Sequence, residues 1–205
     1  MTATLPRASR PDSRRPGTRT SAATRNDATS TRSAHLPTRL RPADLLRITD
    51  QGVADVLDGT YDHLLPQSWD PVERWAARLE SDDDLDLWLI SWTPDRSTEL
   101  HDHAGSLGAL TVLSGSLREY RWTGRDLALR VLGPGDQAAF PLGWVHDVQR
   151  HDPLPTAEGG DGELASGPTL SVHAYSPPLT AMSFYAVTEH ATLRRTRTEL
   201  TDEPE

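Results

Sequence analysis

The stretch Glu99–Gly115, ELHDHAGSLGALTVLSG, sets two histidines one residue apart ahead of an apolar run that closes on Ser-Gly. Residues two apart in an extended chain project to the same face, so His101 and His103 present their imidazoles side by side. Asp102 between them points to the opposite face and reads as structural. Two imidazoles on one strand face make part of a metal site, and a third donor is needed. The segment Gly135–His146, GDQAAFPLGWVH, supplies a third histidine at the end of a turn-rich run.

Around these segments the pattern is β. Ser81–Asp84 is a turn signal, Leu85–Trp92 an apolar strand, and Thr93-Pro-Asp-Arg another turn. Glu99–Leu113 covers one or two strands; Leu117–Trp122, Leu127–Leu132, Gln137–Phe140 and Trp144–Val148 follow. Thr169–Tyr175 and Ala181–Val187 are the last strands predicted, and Pro153–Pro168, rich in Gly, Pro and acids, reads as a surface loop. Many short strands at regular spacing imply a sandwich or barrel. Ahead of them, Arg41–Gly59 carries apolar residues at helical spacing and predicts one or two short helices closed by Gly59. Asp70–Glu80 reads two ways. Asp70 and Pro71 resemble a helix start, whereas Trp75, Ala77 and Leu79 alternate as in a strand.

The 205 residues suffice for one domain with a real core. There is no cysteine, which excludes disulfides, thiolate metal sites and a cysteine nucleophile. Residues 1–40 hold eight arginines against two aspartates in a chain of net charge −9, leaving about −15 on the remainder. An acidic body argues against a nucleic-acid-binding core. The tail itself, dominated by Ser, Thr, Arg, Pro and Ala, cannot offset its ordering entropy and is expected to be disordered. No apolar run approaches the roughly 20 residues that span a bilayer, and no apolar signal region opens the chain, so a cytoplasmic protein without a membrane partner is expected. The expected organisation is a tail over 1–40, one domain over 41–190 and a polar, acidic end over 191–205.

The histidine segments resemble the two cupin motifs. Gly135, Pro141, Gly143 and His146 fit the second by spacing, and His101, His103 and Gly115 fit the first. Cupins usually add a glutamate ligand a few residues after the second histidine; here that position falls on Gly108, and no acid lies between His103 and Gly115. The implied fold is all-β, a cupin (jelly-roll) barrel with short N-terminal helices. The implied ligand set is three neutral imidazoles, leaving up to three sites open on an octahedral metal.

Trp92 lies nine residues before His101, and Ser171–Pro178 reads SVHAYSPP. Together with the cupin motifs, these make the chain, from about Arg74 to Tyr185, resemble the cysteine dioxygenase type I family of thiol dioxygenases, in its bacterial form. The resemblance implies one Fe(II) per chain on His101, His103 and His146, with a small-molecule thiol and O2 as reactants. It implies a relay of Ser171, His173 and Tyr175 beside the metal, and a cis Ser176–Pro177 peptide. Arg78 fits the family's substrate-carboxylate residue, with Arg74 as the alternative, and this favours a strand over Asp70–Glu80. Mammalian members join a cysteine at the position of Gly108 to the tyrosine; no such thioether can form here. The implied reaction is L-cysteine to cysteine sulfinic acid. A sister activity on 3-mercaptopropionate or another small thiol is the nearest alternative, and a non-catalytic metal-binding cupin a further one. His35, His63, His151 and His190 match no motif. The sequence sets no oligomeric state.

Overall fold

The computed structural model describes residues 40–94, 96–152 and 167–204; the tail and nearly all of the loop expected over 153–168 lie outside the described residues. Helix α1 spans Pro42–Leu57. Pro42 stands where a missing N–H costs nothing, and the Asp44 carboxylate accepts the Arg41 backbone N–H at 3.0 Å. Its end falls at Asp58, followed by Gly59 at φ +88°. Of the one or two helices expected over Arg41–Gly59 there is one, and a 3-10 turn follows beyond it at Asp62–Leu64.

Eleven strands follow: β1 Ala76–Ser81, β2 Asp86–Trp92, β3 His101–Asp102, β4 Leu107–Ser114, β5 Leu117–Trp122, β6 Leu127–Leu132, β7 Gln137–Phe140, β8 His146–Arg150, β9 Thr169–Ser176, β10 Ala181–Val187 and β11 Leu193–Leu200. They form two antiparallel sheets, ordered β1-β2-β9-β4-β7 and β11-β10-β3-β8-β5-β6. This is the jelly-roll barrel of the cupins. Asp70–Glu80 resolves into an Asp70-capped turn, with the Asp70 carboxylate accepting from Val72 N and Glu73 N, and then β1.

The last strand expected, Ala181–Val187, is a correction: within the polar end over 191–205, Leu193–Leu200 forms a further strand that pairs along β10 from Val187 to Ala181. Its Arg and Thr residues hid the strand, since they serve an edge whose outer face meets solvent. The cations cover aromatic rings instead, with Arg197 Cζ 3.6 Å from the Phe184 centroid.

At its centre the first sheet is buried on both faces, which is why every residue of β2 and β9 is buried. Its outer face receives α1 through Leu45, packed with Leu87, Leu89, Val172 and Ala174. Leu45 is fully buried, and truncating it to Ala would cost about 2–5 kcal/mol. Gly52 permits the close approach, because a Cβ there would stand 2.9 Å from Val172 Cγ1. The inner face joins the second sheet around Trp88, Ile90, Leu110, Phe140, Met182 and Phe184. The barrel interior is thus a packed apolar core, into which a few polar side chains are built.

Candidate metal centre

Three of those side chains are His101, His103 and His146. Strands β3 and β8 pair His101 directly with His146, and the chain leaving β3 returns His103 to the same place. Each histidine offers one ring nitrogen, and the three lie within 4.8 Å of one another. All three are at least 95% buried, being 3%, 5% and 1% exposed. The His101 Nδ1–H donates to the Glu99 carbonyl at 3.0 Å, so its Nε2 lone pair faces His103 Nε2, 3.3 Å away. Neither ring nitrogen of His146 has a hydrogen-bond partner. Buried polar atoms normally find partners, so nitrogens aimed at a common point fit a cation. Burial lowers the pKa of all three, and the neighbouring imidazoles lower His103 and His146 further. They are therefore neutral at pH 7, the form that ligates. No acid joins the group among the described residues. The centre suits a metal ion.

The loop into β3 is fixed by Asp147, whose carboxylate takes Thr98 N at 3.1 Å, Ser97 Oγ at 2.9 Å and Gln149 Nε2 at 2.7 Å. Glu99 adopts φ +57°, a conformation rare outside glycine, and so turns its carbonyl to His101. Arg197 clasps the Glu99 carboxylate with two bonds of 3.1 and 3.0 Å. Asp102 has the structural role expected of it, accepting from Tyr185 Oη at 2.7 Å and Ala104 N at 3.0 Å.

Across the barrel, β9 brings Ser171, His173 and Tyr175 to one inner face. Trp92 Nε1 donates to Ser171 Oγ at 2.8 Å, Ser171 Oγ lies 2.9 Å from His173 Nε2, and His173 Nδ1 lies 3.2 Å from Tyr175 Oη. The Tyr175 ring meets the His103 ring edge to face, with centroids 5.0 Å apart. Burial raises the Tyr175 pKa, which keeps the phenol protonated. The Ser176–Pro177 peptide is cis. Gly108 pairs with Tyr175, and a Cβ there would stand 3.0 Å from Phe140 and 3.2 Å from His103 Nδ1. A larger residue at 108 would press on the Phe140 and His103 rings.

Arg78 does not join this group. Its guanidinium stacks on Trp88 at 4.6 Å and bonds the Asp202 carbonyl at 2.9 Å, with Asp86 at 3.8 Å. Arg74, the alternative, does. It lies 4.3 Å from the Trp92 ring centroid, and its charge acts on the rings facing it. Burial lowers the His173 pKa most and Arg74 adds to it, while at Tyr175 the same charge opposes the rise due to burial. Of the two candidates, Arg74 therefore lies beside the β9 chain, and Arg78 is held by Trp88 and Asp202. Arg74 lies just before β1, whereas Arg78 lies within it, opposite Trp88. A cavity of about 570 Å³ opens beside Arg74, lined by Trp88, Arg96, Ser97, Glu203 and Pro204; the histidines do not line it.

The sequence also passed over Glu119, a buried acid behind His146. Its inward place after Leu117 on β5 was the available signal, an acid at an apolar position of an alternating strand.

Fold and site together define a two-sheet antiparallel β-barrel with a buried three-histidine centre suited to a metal ion. Residues 67–152 match the family described as cysteine dioxygenase type I, the family that the motifs resemble. The matched segment contains all three histidines and Arg74 and ends before Ser171. Among solved structures, the chain is similar to KdgF from Halomonas sp., at 18% identity over 54% of this chain and 88% of that one, TM-score 0.41. It is similar to a conserved protein with a double-stranded β-helix domain from Klebsiella pneumoniae, at 17% identity over 69% and 88%, TM-score 0.43. A cupin superfamily protein from Desulfitobacterium hafniense gives 14% identity over 55% and 88%, TM-score 0.40. No helix among the described residues is long and apolar enough to cross a membrane.

Proposed function

We propose that the protein is an iron(II)-dependent thiol dioxygenase that converts L-cysteine and O2 to cysteine sulfinic acid. His101, His103 and His146 would hold one iron. When bound, the metal supplies a Lewis-acidic centre that binds thiolate and activates dioxygen. Three neutral imidazoles leave its double charge uncompensated, which favours the thiolate form of the substrate. Both atoms of O2 pass to sulfur, so the thiol becomes a sulfinic acid with no other reductant.

The observation that carries this reading is the meeting of an acid-free three-histidine cluster with a protonated tyrosine and an arginine inside one barrel. Arg74 is the proposed carboxylate clamp, since a guanidinium fork matches a carboxylate. The hydrogen-bond chain has a proposed polarity. Trp92 donates to Ser171, Ser171 O–H to His173 Nε2, and His173 Nδ1–H to the Tyr175 oxygen. The Tyr175 proton is then directed away from β9, toward bound substrate. Without a thioether at residue 108, this chain is what orients the phenol.

Oxygen uptake by the iron-loaded protein against a thiol panel tests the reading. Cysteine should consume one O2 per thiol, and cysteamine, which lacks the carboxylate, should be poor. Faster turnover of 3-mercaptopropionate than of cysteine would make the sister activity the correct one. Absence of uptake with any thiol would leave a metal-binding cupin.

A further inference from the structure

The acid missing from the ligand set is present one layer out. Glu119 lies on β5 and is 3% exposed, on the strand beside β8. Its Oε2 accepts from Arg130 Nη2 at 2.8 Å and from Nε at 3.2 Å, while its Oε1 stands 3.6 Å from His146 Nδ1. Two other carboxylates near the cluster, Asp102 and Asp147, are occupied by tyrosine, threonine, serine and backbone donors. Among the described residues Glu119 stands 3.6 Å from His146 Nδ1, a nitrogen with no hydrogen-bond partner.

A buried carboxylate is costly, and a charge pair in such a place is seldom more stable than an apolar one. Arg130 offsets part of this cost from an edge strand, where its side chain is 50% exposed. Packing therefore does not account for the charge at Glu119. Ligand histidines, by contrast, commonly donate their second N–H to a carboxylate, which fixes the ring and raises its basicity.

We propose that Glu119 is the positioning carboxylate of the metal centre, accepting His146 Nδ1–H and replacing in the second layer the charge that Gly108 cannot supply in the first. At 3.6 Å the contact is not yet a hydrogen bond. With Nε2 as the ligating nitrogen, Nδ1 would carry the proton that Glu119 accepts. Arg130 moderates the charge without forming part of the support.

The inference rests on the metal centre of the proposed function but not on thiol chemistry, so its test uses neither thiol nor O2. Chelator competition with Fe(II) or Co(II) measures metal affinity in the full chain. Glu119→Ala should weaken binding about 10- to 100-fold. Glu119→Gln, of the same shape and with an accepting oxygen, should weaken it less. Arg130→Gln should leave affinity unchanged or raise it, because the carboxylate is then less neutralised. The Co(II) absorption bands should shift in the Glu119 variants and not in Arg130→Gln. Parent affinity in Glu119→Gln and Glu119→Ala overturns the proposal. So does equal weakening in Arg130→Gln and Glu119→Gln, which would mark a purely structural ion pair. Should Glu119→Ala fail to fold, the isosteric Gln variant alone decides. Thiol oxidation failing while the affinity pattern holds would reject the dioxygenase reading and keep this one.

Discussion

The two walls of the barrel are built on opposite rules. The second sheet supplies His101 and His146 from β3 and β8, and its ring nitrogens are left with incomplete partners: His146 has none. The first sheet supplies Ser171, His173 and Tyr175 from β9, and there each polar group joins the next from Trp92 to Tyr175. A wall with unmatched nitrogens is organised for a cation that completes it. A wall with a finished chain of hydrogen bonds is organised to aim one hydroxyl. Gly108 is where they touch, since a Cβ there would press within 3.2 Å of the His103 ring beside Tyr175. The difference predicts that metal binding and oxygenation separate by mutation.

The largest effect is expected on the metal wall. His146→Ala should lose most of its iron and all turnover while the barrel stays folded, as judged by metal analysis and circular dichroism. Full iron occupancy in that variant breaks the comparison at its root. Tyr175→Phe comes next: iron content and cysteine KM should remain near parental while kcat drops by about 10²–10⁴, the range for a lost acid–base or positioning group. Parental kcat would reduce the phenol to packing. Arg74→Ala should lower kcat/KM for cysteine by about 1.5–3 kcal/mol, or roughly 10- to 100-fold. Arg78→Ala should cost no more than about 1 kcal/mol, as expected of a partly exposed ion pair to Asp202. Reversal of that order would return the carboxylate to Arg78.

A separate effect lies in the pH dependence of the metal-free protein. His101, His103, His146 and His173 all have folded pKa values below the ordinary imidazole value, chiefly through burial. Above about pH 7 they are neutral in both states and contribute no pH dependence. As pH falls below about 6.5 the unfolded chain binds protons that the folded chain refuses, so stability drops by about 1.4 kcal/mol per pH unit for each proton taken up. Melting of the metal-free protein between about pH 7.5 and 5 should show this slope, and bound metal should steepen it by proton competition. A melting temperature independent of pH in that window would mean that the rings are not held neutral.

Much of this was legible before the fold. Strand bounds at Leu117–Trp122, Leu127–Leu132 and Gln137–Phe140 fell where alternation and glycine turns put them. The three histidines lie together, His101 and His146 through pairing of β3 with β8 and His103 just beyond β3. What stayed hidden depended on partners far along the chain. Arg74 and Arg78 look alike locally, and only Trp92 beneath one and Asp202 beside the other separate them. The last strand was hidden by polar residues that an edge tolerates. Glu119 offered a local sign, an acid at an inward position, but its meaning required His146 from the neighbouring strand.

Turnover under isotopically labelled dioxygen tests the central claim most directly. Iron-loaded protein and L-cysteine in labelled O2 and ordinary water should give cysteine sulfinic acid carrying the label in both sulfinate oxygens, read by mass spectrometry. A product with oxygen drawn from water, or cystine in place of the sulfinate, would contradict a dioxygenase built on these three histidines.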